Sequence, residues 1–274
     1  MAKSVADKRS TFRKLHETGC FVMPNPWDIG TSRYLESMGF PALATTSAGF
    51  AWSKGFGDGG ITRDMAIAHI AELSACVDVP FNADFEGGFA DTPEGVAESV
   101  RLCCETGVSG LSIEDFTGDR AAPLYPMDLA VSRIKAARAA IDKAGADVLL
   151  TGRSEGFIRG RPDLAETLAR LKAYAAAGAD CLYAPGLSTR EQIVAVVEAV
   201  APKPVNILIG SPLPFTVSDV AAMGGRRISI GGALARVAWG ALGRMAQEIR
   251  DKGTFTGFGD GMPGADLNGL FGKG

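Results

Sequence analysis

Eight times along this chain of 274 residues, a short apolar run is followed by a longer stretch of helical periodicity. The runs are Cys20–Asn25, Ala42–Ser47, Pro80–Glu86, Gly110–Asp115, Val148–Arg153, Cys181–Ala184, Val205–Ile209 and Arg227–Gly231. Helical patterns lie near Trp27–Met38, Arg63–Val77, Pro93–Thr106, Asp128–Lys143, Pro162–Ala177, Thr189–Val200 and Val217–Met223, with Ala233–Arg250 after the last run. The punctuation agrees with this division. Thr92-Pro93-Glu94 and Arg161-Pro162-Asp163 put proline at a first helical position with acid in the first turn. Gly39, Gly107 and Gly178 stand where a left-handed C-cap closes a helix before the next strand. Eight such units in about 230 residues predict a closed (β/α)8 barrel of the α/β class rather than an open doubly wound sheet. No linker or shift of composition interrupts them, so residues 1–252 are expected to form one barrel domain that includes the last helix. Residues 253–274 differ, being glycine-rich with scattered Phe255, Phe258, Leu267 and Phe271. They read either as a frayed end or as an arm that docks its aromatics on a neighbouring subunit.

Composition excludes more than it selects. Hydrophobic residues make up 46% and charged residues 22%, ordinary for a soluble protein with a large core. The net charge of −3 gives no long-range attraction for nucleic acid or an anionic membrane, so neither is an expected partner. An anionic substrate would need local help from a metal, an arginine or oriented backbone amides. No apolar run is long enough to span a bilayer, and the charged start lacks the apolar segment of a signal peptide. Cys20, Cys76, Cys103, Cys104 and Cys181 include no CxxC and sit in apolar patterns, as reduced packing thiols of a cytoplasmic protein would. His16 and His69 lie in helical patterns without metal-ligand spacing, and no Ser/His/Asp set assembles around them.

In such a barrel the site is built at the C-terminal ends of the strands. The third run ends in Asp84-Phe85-Glu86, whose alternate carboxylates point to the same side if the strand continues. The fourth ends in Glu114-Asp115 and the fifth in Gly152-Arg153. Asp58, in the glycine-rich loop after the second run, is within reach of the same metal as Asp84 if that loop folds over the strand ends. Asp84, Glu86, Glu114 and Asp58, without nearby histidine or thiolate, select an oxygen-loving cation such as Mg2+, with Mn2+ as the alternative. The competing reading is that these acids cap helices or form ordinary salt bridges. Arg153 suits a bidentate grip on a carboxylate or phosphonate, or a rim ion pair with Glu114 or Glu155. Asn206, polar within an apolar strand, needs either a structural partner or a substrate. Gly55–Gly60 spells GxGxxG but does not directly follow a strand, and Asp58 inside it would repel phosphate, so it is no nucleotide loop.

The order Thr46-Ser47-Ala48-Gly49, Asp58, Asp84-Phe85-Glu86, Gly107-Val108-Ser109-Gly110-Leu111-Ser112-Ile113-Glu114-Asp115 and Gly152-Arg153 resembles the isocitrate lyase/phosphoenolpyruvate mutase superfamily. The resemblance runs from Pro24-Asn25-Pro26-Trp27-Asp28 to Ile230-Gly231-Gly232, and the Gly-Val-x-Gly-x-x-Ile-Glu-Asp phrase is its most specific part. It implies an Mg2+-dependent barrel whose eighth helix swaps between subunits, usually in a homotetramer built as a dimer of dimers. It implies Asp84 as direct metal ligand, with Asp58, Glu86 and Glu114 around it. Ser47 and Ala48 would meet the substrate carboxylate through their backbone, Arg153 would clamp it, and Trp27 and Asn206 would line the pocket. Arg153, Asp58 and Glu114 are the residues it assigns to catalysis.

The sequence also departs from the family pattern. Lyase members carry Lys-(Lys/Arg)-Cys-Gly-His after the fourth strand, where this chain reads Phe116-Thr117-Gly118-Asp119-Arg120-Ala121-Ala122-Pro123-Leu124-Tyr125. The Lys-Thr-Asn-Ser loop of the phosphonate enzymes is missing as well. After the sixth strand, where relatives have glutamate or histidine, stands Tyr183-Ala184-Pro185-Gly186. Tyr125, Asp119 and Arg120 are left as positional candidates for proton transfer or gating. The leading expectation is a lyase breaking a C–C bond, by retro-aldol cleavage or decarboxylation, in a small 2-oxo or 2-hydroxy di- or tricarboxylic acid through an enolate. The alternatives are P–C hydrolysis or mutation of a phosphonopyruvate-like compound, and a barrel that binds a 2-oxo acid without turning it over.

Overall fold

The computed structural model describes residues 2–272; Met1, Lys273 and Gly274, the last two within the expected tail, lie outside the described residues. Eight parallel strands form one sheet: β1 (Phe21–Met23), β2 (Leu43–Ala44), β3 (Phe81–Ala83), β4 (Gly110–Glu114), β5 (Leu149–Arg153), β6 (Cys181–Tyr183), β7 (Val205–Leu208) and β8 (Arg227–Ser229). Their order β1-β8-β7-β6-β5-β4-β3-β2 curls the sheet on itself, and the Ala44 N–H reaches the Pro24 carbonyl at 3.0 Å across the seam. The chain is therefore the expected (β/α)8 barrel. Gly39, Gly107 and Gly178 take φ of 85°, 85° and 105°, the left-handed conformation their positions called for.

The helices wrap this sheet. They are α1 (Val5–Leu15), α2 (Ile29–Ser37), α3 (Ser47–Ser53), α4 (Arg63–Ala75), α5 (Pro93–Glu105), α6 (Met127–Lys143), α7 (Leu164–Ala176), α8 (Arg190–Val200), α9 (Val217–Ala222), α10 (Ala233–Lys252) and α11 (Gly264–Phe271). Outward-facing strand residues such as Leu111, Ile113, Leu150, Leu182, Ile207 and Ile228 pack against α5 to α9 in the main core. No helix among the described residues is long and apolar enough to cross a membrane.

Three helices depart from the sequence expectation. α1 falls in the charged start and is held by a capping box between Ser4 and Asp7. Its buried Phe12 meets Phe21, Met23, Leu149 and Cys181 at the N-terminal end of the barrel and closes that end. α3 begins at Ser47, where the second strand was expected to end; Thr46 caps it by accepting from the Gly49 N–H. α11 lies in the tail that was read as a frayed end or a docking arm, and its Phe271 ring lies against Gly30 of α2 in the same chain. α10 is amphipathic without a complete cover: Val237, Trp239 and Leu242 are 66%, 49% and 57% exposed.

His16, just past α1, is buried between the Phe12 and Phe21 rings. Burial, then the positive charge of Arg227 and behind it Arg13 and Arg226, push its imidazole down to about 3. The unfolded chain binds that proton near pH 6.5 and the folded chain does not, so neutral His16 contributes stability above pH 6.5 that is lost as pH falls toward 3. His16→Gln is expected to flatten the fall of unfolding free energy between pH 6 and pH 4 by about 1 kcal/mol per pH unit. Urea denaturation at several pH values reads that slope directly.

Candidate active site

The C-terminal ends of the strands surround a cavity of about 400 Å3. Strand alternation decides what enters it. In β4, Ser112 and Glu114 point inward, whereas Asp115 turns out toward the helices and accepts from Tyr174 Oη (2.5 Å), Arg170 Nη1 (3.2 Å) and the Glu155 N–H (2.8 Å). One acid of the Glu114-Asp115 pair thus serves the cavity and the other braces the barrel wall. Asp84 follows β3 directly: its Oδ2 accepts from both the N–H and the Oγ–H of Ser47 at 3.0 Å, and its Oδ1 accepts from Arg153 Nη1 at 3.0 Å.

Glu86 reaches the cavity by another route than a continued strand. The strand stops at Ala83, and Glu86 and Phe89 take φ of 47° and 54°, a left-handed conformation that costs a non-glycine residue about 1–3 kcal/mol. Arg133 of α6 braces this turn, donating through Nη2 to the carbonyls of Gly87 and Ala90 while its guanidinium lies 3.9 Å from the Tyr125 ring centroid. The Tyr125 hydroxyl donates to Asp91 at 2.5 Å, and burial followed by that bond pushes it up to about 12.

Arg153 at the end of β5 is the centre of charge. Its guanidinium lies 3.0 Å from Asp84, 3.2 Å from Glu114 and 2.5 Å from Glu155, and stacks toward Tyr183 at 5.1 Å. Burial works against its charge, but Glu155, Glu114 and Asp84 outweigh it and raise the group well above its ordinary value. Arg159, from the 3-10 turn Gly156–Arg159, bonds Glu155 at 2.8 Å and lies 3.7 Å from the Phe116 ring centroid. Burial, then Glu155, push Glu114 far above the usual carboxylate range. Burial, then Asp84 and Asp58, push Glu86 up to about 7. Asp58 stands on the exposed loop at the mouth; enclosure there, then Asp84, raise it, and solvent screens the effect.

Of the residues singled out in the sequence, Ser47, Ala48, Asp58, Asp84, Glu86, Glu114, Arg153 and Asn206 line this one cavity. Trp27 does not; its Cβ packs against Gly49 of α3 and its N–H bonds Thr31 Oγ1 at 3.2 Å. Arg153 faces the cavity and is at the same time the ion-pair partner of Glu114 and Glu155, as the second of its two readings expected. The loop after β4 is a hairpin, with Phe116 bridged to Leu124 and the Thr117 N–H bonded to the Pro123 carbonyl at 3.0 Å. It presents Phe116, Thr117, Gly118 and Tyr125 to the cavity, while Asp119 and Arg120 lie exposed at its tip. Tyr183, Arg159, Arg133 and Arg227 also line the cavity and went unassigned in the sequence. The first follows from the strand-end rule; the arginines come from helices and the start of a strand, where no local signal marks them.

The donor set fits a hard cation. Glu86 Oε1 is buried without a hydrogen-bond partner, and after burial the charge of Asp84 raises both Asp58 and Glu86, a repulsion that a divalent ion among these oxygens would relieve. Among the described residues no three acidic, histidine or cysteine side chains converge closely enough to hold an ion by themselves.

Fold and site together define a (β/α)8 barrel whose strand-end mouth combines clustered carboxylates with a buried guanidinium. The family model described as phosphoenolpyruvate phosphomutase matches residues 12–250, so the chain belongs to that family, within the PEP mutase/isocitrate lyase superfamily. It is similar to a crystal structure from Burkholderia cenocepacia J2315, provisionally named a lyase/mutase, at 48% identity over 97% of both chains, with a TM-score of 0.95. It is 29% identical to the oxaloacetate decarboxylase of Paraburkholderia xenovorans (strain LB400) over 78% of this chain and 71% of that one. Oxaloacetate acetylhydrolase, solved with its product oxalate, superposes with a TM-score of 0.86 at 27% identity, covering 97% of this chain and 93% of that one. The same enzyme has been solved with the inhibitor 3,3-difluorooxalacetate.

Proposed function

We propose that this protein is an Mg2+-dependent lyase that breaks a C–C bond, by retro-aldol cleavage or decarboxylation, in a small 2-oxo or 2-hydroxy di- or tricarboxylic acid, with the electron pair left on the carbon next to a carbonyl or carboxylate as an enolate. The observation that carries the reading is the convergence of Asp84, Glu86, Glu114 and Arg153 on one small cavity at the strand ends. Asp84 would hold the ion, with Glu86, Asp58 and Glu114 holding its waters; Mn2+ suits the same oxygens. A bound divalent ion supplies Lewis-acid stabilisation of charge on the substrate's carbonyl oxygen. The backbone of Ala48, and that of Ser47 if the ion takes the Asp84 oxygen it now serves, would orient the substrate carboxylate, and Arg153 would balance the charge that develops as the bond breaks. Tyr183, beside Arg153, and Phe116 line the cavity with aromatic surface. Decarboxylation of an oxaloacetate-like acid is the favoured form, because it needs an electron sink and no loop cysteine.

A second reading, P–C hydrolysis or mutation of a phosphonopyruvate-like acid, is favoured by the family to which the chain belongs. A third, binding without turnover, is favoured by the hairpin after β4, which carries neither cysteine nor histidine. On the leading reading residues 1–252 act as one unit in a cytoplasmic homotetramer, a dimer of dimers that exchange α10, and the exposed Val237, Trp239 and Leu242 support that exchange.

The test is an assay of the purified protein with MgCl2 against oxaloacetate, 2-methylisocitrate, 2,3-dimethylmalate and phosphonopyruvate. A 2-oxo acid product such as pyruvate, lost on adding EDTA, is the expected outcome, from a species sedimenting at four times the chain mass. Phosphate from phosphonopyruvate alone would move the assignment to P–C chemistry. Binding of all four acids with no product would leave only the third reading.

A further inference from the structure

The interior of the barrel departs from the layers of branched aliphatic side chains usual in this fold. Below the acids, Asn82, Ser112, Asn206, Arg227 and Ser229 line the inner end of the cavity. Arg227, the first residue of β8, lies at the end of the strand opposite the mouth and is 2% exposed. Its Nε donates to Asn206 Oδ1 at 2.9 Å, its Nη2 to Thr151 Oγ1 at 2.9 Å, and its Nη1 lies 3.2 Å from His16 Nε2. A guanidinium can only donate, so His16 Nε2 accepts, and its Nδ1 hydrogen goes to the Phe12 carbonyl at 2.7 Å.

All three partners are uncharged, and among the described residues no carboxylate pairs with Arg227. A cation taken out of water without a counter-charge leaves its field on the cavity floor. The same contact settles the polarity of Asn206. Its oxygen must face Arg227, and its nitrogen donates one hydrogen to Ser229 Oγ at 2.9 Å, which leaves the second N–H unused on a residue that lines the cavity.

We propose that Arg227 is a positioning residue for the substrate's anionic group: it locks Asn206 as a donor toward the cavity and backs that donor with an unpaired buried positive charge. The proposal deepens the lyase reading and rests on it for the identity of the anion.

Asn206→Asp separates this role from a merely structural one. The new carboxylate would pair with Arg227, so the fold gains an ion pair, while the cavity loses both its donor and its floor charge. The expected result is a melting temperature equal to or above that of the wild type. Together with it, the Kd for 3,3-difluorooxalacetate, measured by calorimetry in MgCl2, should rise at least about 100-fold. A Kd within threefold of the wild type overturns the proposal. Thr151→Val, which removes one acceptor of Arg227 without lining the cavity, is expected to raise KM several-fold with kcat nearly unchanged; an unchanged KM also overturns it. Asp84→Asn measured alongside keeps the two readings apart. If that variant loses the inhibitor while Asn206→Asp keeps it, only the role of Arg227 falls. If the wild type fails to bind the inhibitor, both fall.

Discussion

Asp84→Asn is expected to leave a folded protein whose kcat/KM has fallen by at least about 1,000-fold, roughly 4 kcal/mol of lost transition-state stabilisation. The side chain joins three parts of the site. It accepts from Ser47 at the start of α3, pairs with Arg153 across the mouth, and is the carboxylate proposed to hold the cation. The amide keeps the shape and an oxygen for Ser47 but loses the charge. Stability should change little, because the lost attraction to Arg153 is offset by relief of the repulsion that raises Glu86 and Asp58. Turnover, circular dichroism and Mn2+ binding by electron paramagnetic resonance check the three parts. Turnover within tenfold of the wild type would remove Asp84 from the mechanism.

Arg153→Met should do the converse, damaging stability and activity together. Three carboxylates, Asp84, Glu114 and Glu155, lie within 3.2 Å of this guanidinium, and Glu155 and Glu114 are 0% and 7% exposed. Taking away the cation strands buried negative charge, which costs about 3–5 kcal/mol and lowers Tm on the order of 10 °C. Arg153→Lys keeps the charge but not the planar fork that reaches three acids at once, so it should recover part of the stability and little of the turnover. Differential scanning calorimetry of the two variants reads the split. A Met variant as stable as the wild type would mean that Arg159 alone balances the cluster.

The split between these two residues bears on what was legible in the sequence. Asp84 and Arg153 could be picked out because each ends an apolar run, and a barrel puts strand ends in one place. Glu114 could be picked out for the same reason, but its neighbour Asp115 could not be told from it until the strand's facing was known. Glu86 was expected on the same face as Asp84 by simple alternation. It arrives there through a left-handed turn braced by Arg133, a residue 47 positions later on another helix. The loop after β4 was readable only as lacking the lyase motif; that it closes as a hairpin and sets the Phe116 ring under Arg159, 43 residues later, was not. Trp27 was placed in the pocket by resemblance alone, and packing against Gly49 takes it out of the cavity lining.

The sequence by itself determined the alternation of strands and helices, the glycine turns between them and the acids and arginine at the strand ends. These are local properties, fixed by periodicity and by conformations that few residues adopt. Only the tertiary structure decided which charges meet. Closing the ring brings Asp84 to Arg153, 69 residues apart, and sets Asn206 on Arg227, 21 residues apart. Electrostatic energy depends on separation in space and on burial, and neither is written in the spacing of residues along a chain.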